Sequence, residues 1–370
     1  MGPKITSLSW SLSSNKLIDL TQAVKEKARQ LGFILAGVTS CEPPAHFKIF
    51  QEWLDANHHA TMNYLASERS RSRRADPKLI LPECKSILVL ALPYSEFNIQ
   101  NSEFRIASYA LGDDYHKIIP PRLQEIVQFI EEQVGHPVPN RYYTDTGPIL
   151  ERELAQRAGL GWIGKNSMLI HPQKGSSFLL AEILLGIELE PDEPFTTDHC
   201  GTCTRCLDAC PTQCILPNRT IDSRRCISYL TIENKGDIPE DLRPPMQNWI
   251  FGCDICQQAC PWNRFSPPAD PALKPSIPLP ILTDDLTLTS SEFNQRFKRS
   301  PIQRAKRRGY MRNLAIAVGN SGNEKDIPSL EQAAQDEEPL VKSHAQWALH
   351  KINKEIASGG NPRPRNDSNS

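Results

Sequence analysis

Apolar residues first recur at helical spacing at Leu17, Leu20, Val24, Ala28 and Leu31. Ser14 stands before them as a good N-cap and Gly32 ends the run, so the stretch predicts an amphipathic helix. The pattern then changes. Ile87-Leu88-Val89-Leu90-Ala91-Leu92 is a continuous apolar run closed by Pro93, which predicts a buried strand. Leu123, Ile126, Val127, Ile130 and Val134 mark a second helix face. Arg141-Tyr142-Tyr143-Thr144 reads as a strand, Pro148 to Ala158 as a helix opened by proline in its first turn, and Ser177 to Leu189 as a central strand. Strands alternating with helices indicate an α/β layer domain over 14–195.

Past Pro191 and Pro194 the texture shifts. Nine of the eleven cysteines fall between 200 and 260, which sets off a second unit at 196–265. FSPPADPALKPSIPLPIL (265–282) cannot be helix or central strand and predicts a proline-rich linker over 266–285. Helical periodicity returns with Leu314 to Val318, then Val341, Ala345, Ala348, Leu349 and Ile352. These predict a helical module at 286–356 with a HEAT-like repeat texture. Residues 1–13 read as a flexible leader and 357–370 as a disordered tail. The fold class is therefore mixed, α/β or α+β.

The chain has 370 residues and a net charge of −1, which excludes a wholesale basic coat but not a local basic patch. No stretch approaches the ~20 apolar residues of a membrane span. The first residues have no apolar core of signal-peptide type, so a cytoplasmic protein is expected. In that reducing compartment cysteines are expected as ligands or spectators rather than disulfides.

Cys200, Cys203, Cys206 and Cys210 follow spacings of two, two and three, and Pro211 closes the run. Cys253, Cys256 and Cys260, closed by Pro261, repeat the pattern without its first member, because position 250 is Ile. Cys226, alone between the runs, can fill the vacancy. Eight thiols suffice for two [4Fe–4S] clusters. In bacterial ferredoxin runs of this spacing the fourth cysteine ligates the other cluster. One set is then Cys200, Cys203, Cys206 and Cys260, and the other Cys210, Cys226, Cys253 and Cys256. Zinc sites and disulfides are the alternatives, although structural zinc favours pairs of CxxC without the third cysteine. Cys41, Cys84 and Cys214 are left over as packed thiols.

Two clusters in line imply an electron acceptor in the larger domain. No GxGxxG follows a strand and no GxxxxGK[ST] occurs, so motif spacing does not name it. Asp114-Tyr115-His116 has an Asp-x-His pattern but lacks the later glycine of a cobalamin signature.

TDTGPILERELAQRAGLGWIGKNSMLI (144–170), CGTCTRCLDACPTQCI (200–215), RRCISYLTIENKGDIPEDLR (224–243) and FGCDICQQACPWN (251–263) resemble the epoxyqueuosine reductases. GDDYHK (112–117) and RAKRRGYMRNLAIAVGN (304–320) extend the likeness. The resemblance implies an N-terminal cobalamin-binding domain, a ferredoxin-like module with two clusters, and reduction of epoxyqueuosine to queuosine at the tRNA wobble position. It implies that Asp145, at a strand-to-helix junction, is the proton donor; the local alternative is a cap for the helix after Pro148. It further implies cofactor contacts at Arg74, Arg152, Lys165, Asn166, Leu169 and Leu180. Ala107 stands where some relatives carry a thiol near the corrin, so a catalytic thiol is excluded there.

KRSPIQRAKRR (298–308) is basic at six of eleven positions, which suits phosphate contacts to an RNA. Lys235 and Arg243 are expected to grip an anticodon loop, and Arg304, Lys306, Arg307 and Arg308 its stem. A wobble base enters a pocket much as flipped bases do. The expected partners are tRNA and a separate electron donor, with the chain as a monomer. The alternatives are a reductive dehalogenase relative acting on a small molecule, a flavin-binding electron-transfer protein and a zinc-stabilised nucleic-acid binder.

Overall fold

The structure, a computed structural model, describes residues 14–94, 103–277 and 283–358. The expected leader at 1–13, residues 359–370 of the expected tail and residues 278–282 of the connector lie outside them.

Helix α1 (Ser14–Gln30) forms on the first predicted face, and Gly32 beyond it takes φ +90°, a conformation that L side chains resist. Strand β1 (Leu35–Ser40) and helices α2 (Phe47–Asp55), α3 (Asn63–Ala66) and α4 (Glu68–Ala75) follow. Strand β2 (Ser86–Pro93) is the predicted apolar run, buried throughout. After β3 (Arg105–Ile106), Asp114 caps α5 (Tyr115–Val134) by accepting from the His116 amide. Strand β4 (Asn140–Tyr143), helix α6 (Glu151–Arg157), strands β5 (Trp162–Ile163) and β6 (Leu169–Ile170), and β7 (Phe178–Leu185) complete the domain.

The sheet order is β1-β2-β7-β4, and every neighbouring pair is antiparallel. This corrects the layered α/β expectation to α+β. The apolar runs misled for a physical reason. Leu88, Leu90 and Leu92 pack on α1 and α5, while Ile87, Val89 and Ala91 pack towards α6. A sheet covered on both faces shows the continuous apolar runs that parallel sheets usually show. Helix α6 also starts at Glu151, later than expected, which leaves residues 144–150 as an open turn above the sheet edge.

A further correction concerns Cys41 and Cys84, which are joined as a disulfide with Cα atoms 6.2 Å apart. Pairing of Ser40 with Ser86 at the ends of β1 and β2 brings them together.

The cysteine-rich unit has little regular structure: α7 (Arg205–Ala209), α8 (Ile227–Ile232), β8 (Trp249–Phe251) and α9 (Ile255–Gln258). Strand β8 pairs with β3 in parallel, tying the unit to the first domain. The connector is strapped down rather than free. Arg122 donates to both oxygens of Asp270 at 2.8 Å, and Leu273 is buried in the core of α1 and α5.

The last helices are α10 (Ser290–Arg296), α11 (Lys306–Ser321), α12 (Ile327–Ala333) and α13 (Pro339–Ala357). Helix α11 is buried from Gly309 to Gly319, which explains its small, apolar texture on all sides. Arg312 and Asn313 are fully buried within it. Arg312 donates to the carbonyls of Leu230 and Gly236 at 2.6 Å, and Asn313 to those of Thr231 and Ile250 at 2.8 Å. The helical layer thus fastens the loops that carry the cysteines. Among the described residues no helix is long and apolar enough to cross a membrane.

Candidate functional site

Cys200, Cys203, Cys206 and Cys260 line one cavity, with Asn166 and Trp262 in its wall. The fourth thiol arrives from the second run, as the crossed spacing requires. Trp162 points its indole Nε1 at Cys200 Sγ, 3.4 Å away. Lys165 donates to the carbonyls of Gly201 and Cys203 at 2.8 and 3.0 Å, clamping the loop that carries these thiols.

In the second four, the charges of Cys256 and Cys226 act on Cys253, and those of Cys226, Cys210 and, from the first four, Cys206 act on Cys256. Asn166 sits between the sets, lining the first cavity and reaching the Cys256 carbonyl at 3.4 Å. Burial pushes the thiols of Cys206, Cys253, Cys256 and Cys260 upward, so a bound cation is needed to hold them as thiolates. Sulfur-only donors in fours suit soft metals, iron–sulfur clusters among them. Among the described residues no three or more His, Cys, Asp or Glu converge on one ion-sized point. Cys214, unassigned by the spacing, is buried with its Sγ 3.5 Å from that of Cys210.

Asp145 lies in the turn between β4 and α6. Its φ of +60° places it in the left-handed region, where a non-glycine residue needs support. The support is local. The Tyr115 hydroxyl donates to its carboxylate at 2.9 Å, and its own amide donates to Glu151 at 2.8 Å. Thr144 is tied to the Leu180 carbonyl at 2.9 Å, and Arg74 reaches the Gly147 carbonyl at 3.4 Å. A Cβ on Gly147 would stand 2.6 Å from the Tyr143 ring, so the turn closes tightly there. Helix α6 has no side-chain N-cap, which overturns the capping alternative for Asp145. The Asp145 side chain is 68% exposed, so in the substrate-free chain it faces solvent rather than a desolvated pocket.

His116 Nε2 is 3.8 Å from Asp145, and its Nδ1 is 2.8 Å from Asp114. The Asp114 hydrogen bond raises its pKa, and the charge of Asp145 adds to the effect. Tyr64 is 56% exposed and shares an electrostatic neighbourhood with Asp145, Glu233, Arg74 and Arg304. Sequence reasoning assigned no role to Tyr64, Glu151 or Glu182. Glu182 alone carried a signal, as a carboxylate inside an apolar strand.

The expected cofactor residues divide. Arg74, Arg152 and Leu180 stand at or beside the Asp145 turn, with Arg152 exposed and Leu180 half-buried. Lys165 and Asn166 stand at the cysteine loops, donating to the carbonyls of Gly201, Cys203 and Cys256. Leu169, 2% exposed on β6, is core packed towards Leu154 and Ala155.

The basic residues divide as well. Lys306 and Arg308 are exposed at the start of α11. Arg304 makes a two-pronged contact to Glu233 at 2.8 and 3.0 Å while remaining 58% exposed. Lys235 donates to the carbonyls of Ile232 and Arg304 at 2.6 and 2.9 Å, so it braces the same corner. Arg243 is corrected: it is buried, donates to the Ile238 carbonyl at 2.8 Å and lies over the Trp347 ring. Arg307 is corrected too, being held by Asp336 and the Leu288 carbonyl. Trp347 and Asp336 lie in segments far along the chain, which local charge density does not show.

Two family models match the chain. One, described as a 4Fe-4S double cluster binding domain, covers 199–263; the other, described as Epoxyqueuosine reductase QueG, DUF1730, covers 74–146. The epoxyqueuosine reductase of Cyclobacterium marinum is 42% identical over 80% of this chain and 95% of its own. That of Escherichia coli is 37% identical over 90% of this chain and 89% of its own. A crystal structure of epoxyqueuosine reductase with an epoxyqueuosine-modified tRNA-Tyr stem loop superposes with a TM-score of 0.83, at 29% identity and 92% coverage of both chains. The enzyme from Streptococcus thermophilus gives a TM-score of 0.82 at 28% identity, over 94% of this chain and 96% of its own.

Proposed function

The chain belongs to the epoxyqueuosine reductases, and from that premise we propose that it reduces the epoxide of epoxyqueuosine in tRNA to queuosine, the last step of queuosine biosynthesis. The observation that carries the reading is the meeting, in one fold, of two crossed sets of four thiols and an open aspartate turn. The fold superposes over 92% of its length on an epoxyqueuosine reductase holding its modified stem loop.

Turning an epoxide into an alkene breaks two C–O bonds, consumes two electrons and two protons, and releases water. In this reading Cys200, Cys203, Cys206 and Cys260 hold one [4Fe–4S] cluster, and Cys210, Cys226, Cys253 and Cys256 the other. When bound, the clusters would supply single electrons from a separate donor. Cobalamin would be held at the face of the Asp145 turn, where Arg74 and Arg152 would offer donors to an amide-fringed ring and half-buried Leu180 an apolar wall. When bound, it supplies the metal chemistry that cleaves the C–O bonds.

The chain's own residues handle the proton and the substrate. Tyr115 and the Glu151 contact fix Asp145 in one orientation, and Asp145 gives its proton to the departing oxygen. Exposed Arg304, Lys306 and Arg308 meet the phosphates of the anticodon stem loop, with α10–α13 as a HEAT-like support. The chain acts as a monomer in the cytoplasm.

The test is direct. Full-length protein is reconstituted anaerobically with iron, sulfide and cobalamin, then given a strong reductant and tRNA bearing epoxyqueuosine. Nucleosides from the digested tRNA should lose one oxygen and become queuosine. Unchanged epoxyqueuosine with a fully loaded enzyme would overturn the reading.

A further inference from the structure

Cys214 is the one cysteine between 200 and 260 that the two sets of four leave over, and it is buried where each of the eight is partly exposed. Its Sγ lies 3.5 Å from that of Cys210, and Thr212 Oγ1 lies 3.6 Å from the same sulfur. Thr212 is 1% and Cys214 4% exposed, so water does not reach Cys210 from their side.

The backbone holds both groups there. Gln213, between them, takes φ +51° in the left-handed region, and its amide donates to the Cys210 carbonyl at 3.1 Å. The chain thus turns back on Cys210. Arg225 Nε donates to the Thr212 carbonyl at 2.8 Å. The Asp222 amide donates to the Cys214 carbonyl at 2.8 Å, and Ile215 bridges to Ile221 in the same short hairpin. Anchors on either side of Gln213 therefore aim a hydroxyl and a thiol at one sulfur.

Chemistry sets the direction of these contacts. A Cys210 that ligates iron is a thiolate with no hydrogen of its own, so it only accepts. The Thr212 O–H and the Cys214 S–H are then the donors. A buried thiol beside an anionic cluster keeps its hydrogen, because ionising it would add an uncompensated charge.

We propose that Cys214 is a positioning residue that acts through Cys210: with Thr212 it donates a hydrogen bond to that sulfur and raises the reduction potential of the cluster held by Cys210, Cys226, Cys253 and Cys256. The inference rests on the two-cluster reading above. Reduction adds one electron, from the separate donor, to iron and sulfur. A hydrogen bond to the sulfur stabilises the more negative state more, which is how such bonds tune cluster potentials. No bond breaks and no proton moves; Cys214 keeps its hydrogen in both states. The electron is thereby favoured on this cluster.

The experiment uses full-length protein reconstituted with iron and sulfide, as wild type, Cys214→Ala, Cys214→Ser and Thr212→Val. With eight thiols on iron and Cys41 joined to Cys84, Cys214 is the only one of the eleven cysteines that retains an S–H. Wild type should therefore show an infrared S–H stretch, shifted in deuterium oxide, that Cys214→Ala loses. Both proteins should hold the same iron and sulfide. In a redox titration followed by paramagnetic resonance, Cys214→Ala should lower one potential alone, that of the signal which Cys256→Ser removes. The expected fall is about tenfold in the equilibrium constant for reduction, ~59 mV for one electron. Thr212→Val should lower the same potential, and Cys214→Ser, which keeps a donor, should restore part of it. Unchanged potentials in Cys214→Ala overturn the proposal. So does loss of a cluster from that variant, or a wild type without the S–H stretch, since either would make Cys214 a ligand. Absence of the second signal from wild type would overturn the two-cluster reading with it. Failure of wild type to reduce epoxyqueuosine with both potentials as expected would strike the functional reading alone.

Discussion

The Tyr115 hydroxyl donates to the Asp145 carboxylate at 2.9 Å, and this bond links the first turn of α5 to the turn before α6. It couples two stretches 30 residues apart and aims the acid that sequence likeness singles out. Removing the hydroxyl by Tyr115→Phe keeps the buried ring and loosens only the acid. A hydrogen bond to a charged group is worth roughly 1.5–3 kcal/mol. The single-turnover rate of epoxide reduction should therefore fall about 10- to 100-fold, with the thermal midpoint nearly unchanged. A rate equal to wild type would remove Tyr115 from the site.

The crossed thiol sets predict an asymmetry between neighbours in one run. Cys260→Ser should remove the cluster held by Cys200, Cys203 and Cys206. Cys256→Ser, close by in the chain, should remove the other. Each variant should retain about half of the iron and sulfide. Paramagnetic resonance of the reduced protein should show a different surviving signal in each. The same signal lost from both would mean that the sets are not crossed.

Stability should carry the mark of the buried acids. Burial raises the pKa of both Glu151 and Glu182; the charge of Asp145 adds to the effect on both, and that of Glu151 adds to the effect on Glu182. The unfolded chain releases these protons near pH 4.3, while the folded chain keeps them to higher pH. Stability from these groups is then full below about pH 4 and declines as pH rises above it. Glu182→Gln removes its share of the decline. Relative to wild type, the variant should gain at least ~1 kcal/mol between about pH 5 and pH 8 in denaturant titrations. An equal difference at every pH would contradict the buried-acid account.

The arginines separate by what holds them. Lys306→Glu and Arg308→Glu should weaken binding of the tRNA stem loop and flatten its dependence on salt, with a slope change of about one or more per site. Arg243→Ala should instead cost about 1–3 kcal/mol of stability, because it removes a buried donor and a ring contact. The folded fraction should bind tRNA as wild type does. Filter binding across a salt series, read beside thermal melts, distinguishes the two outcomes.

Much of this was legible in the chain. The run at β2, the helical faces of α1 and α5 and the end of α1 at Gly32 depend on nearest neighbours, and periodicity reads them directly. The meeting of Cys260 with Cys200, Cys203 and Cys206 around one cavity was legible as well, because short spacings limit which sulfurs one loop can bring together. Asp145 was visible through likeness at TDTGP, but not the residues that hold it. Tyr115 and Glu151 reach it through contacts that no local pattern encodes.

Tertiary structure decided the rest, and the physical reason is the same in each case. Strand direction follows from how the chain returns to the sheet, and both faces of this sheet are covered whichever direction is taken. Arg243 and Arg307 look like surface charges until Trp347 and Asp336 fold onto them. Lys165 and Asn166 are tied to the cysteine loops by contacts to the carbonyls of Gly201 and Cys256, which no local pattern shows. Sequence by itself determined which chemistry the chain carries, because thiols and acids at short spacing are local facts. Which cation is free and which acid is buried was settled by folding, because burial and partnership belong to contacts between distant segments.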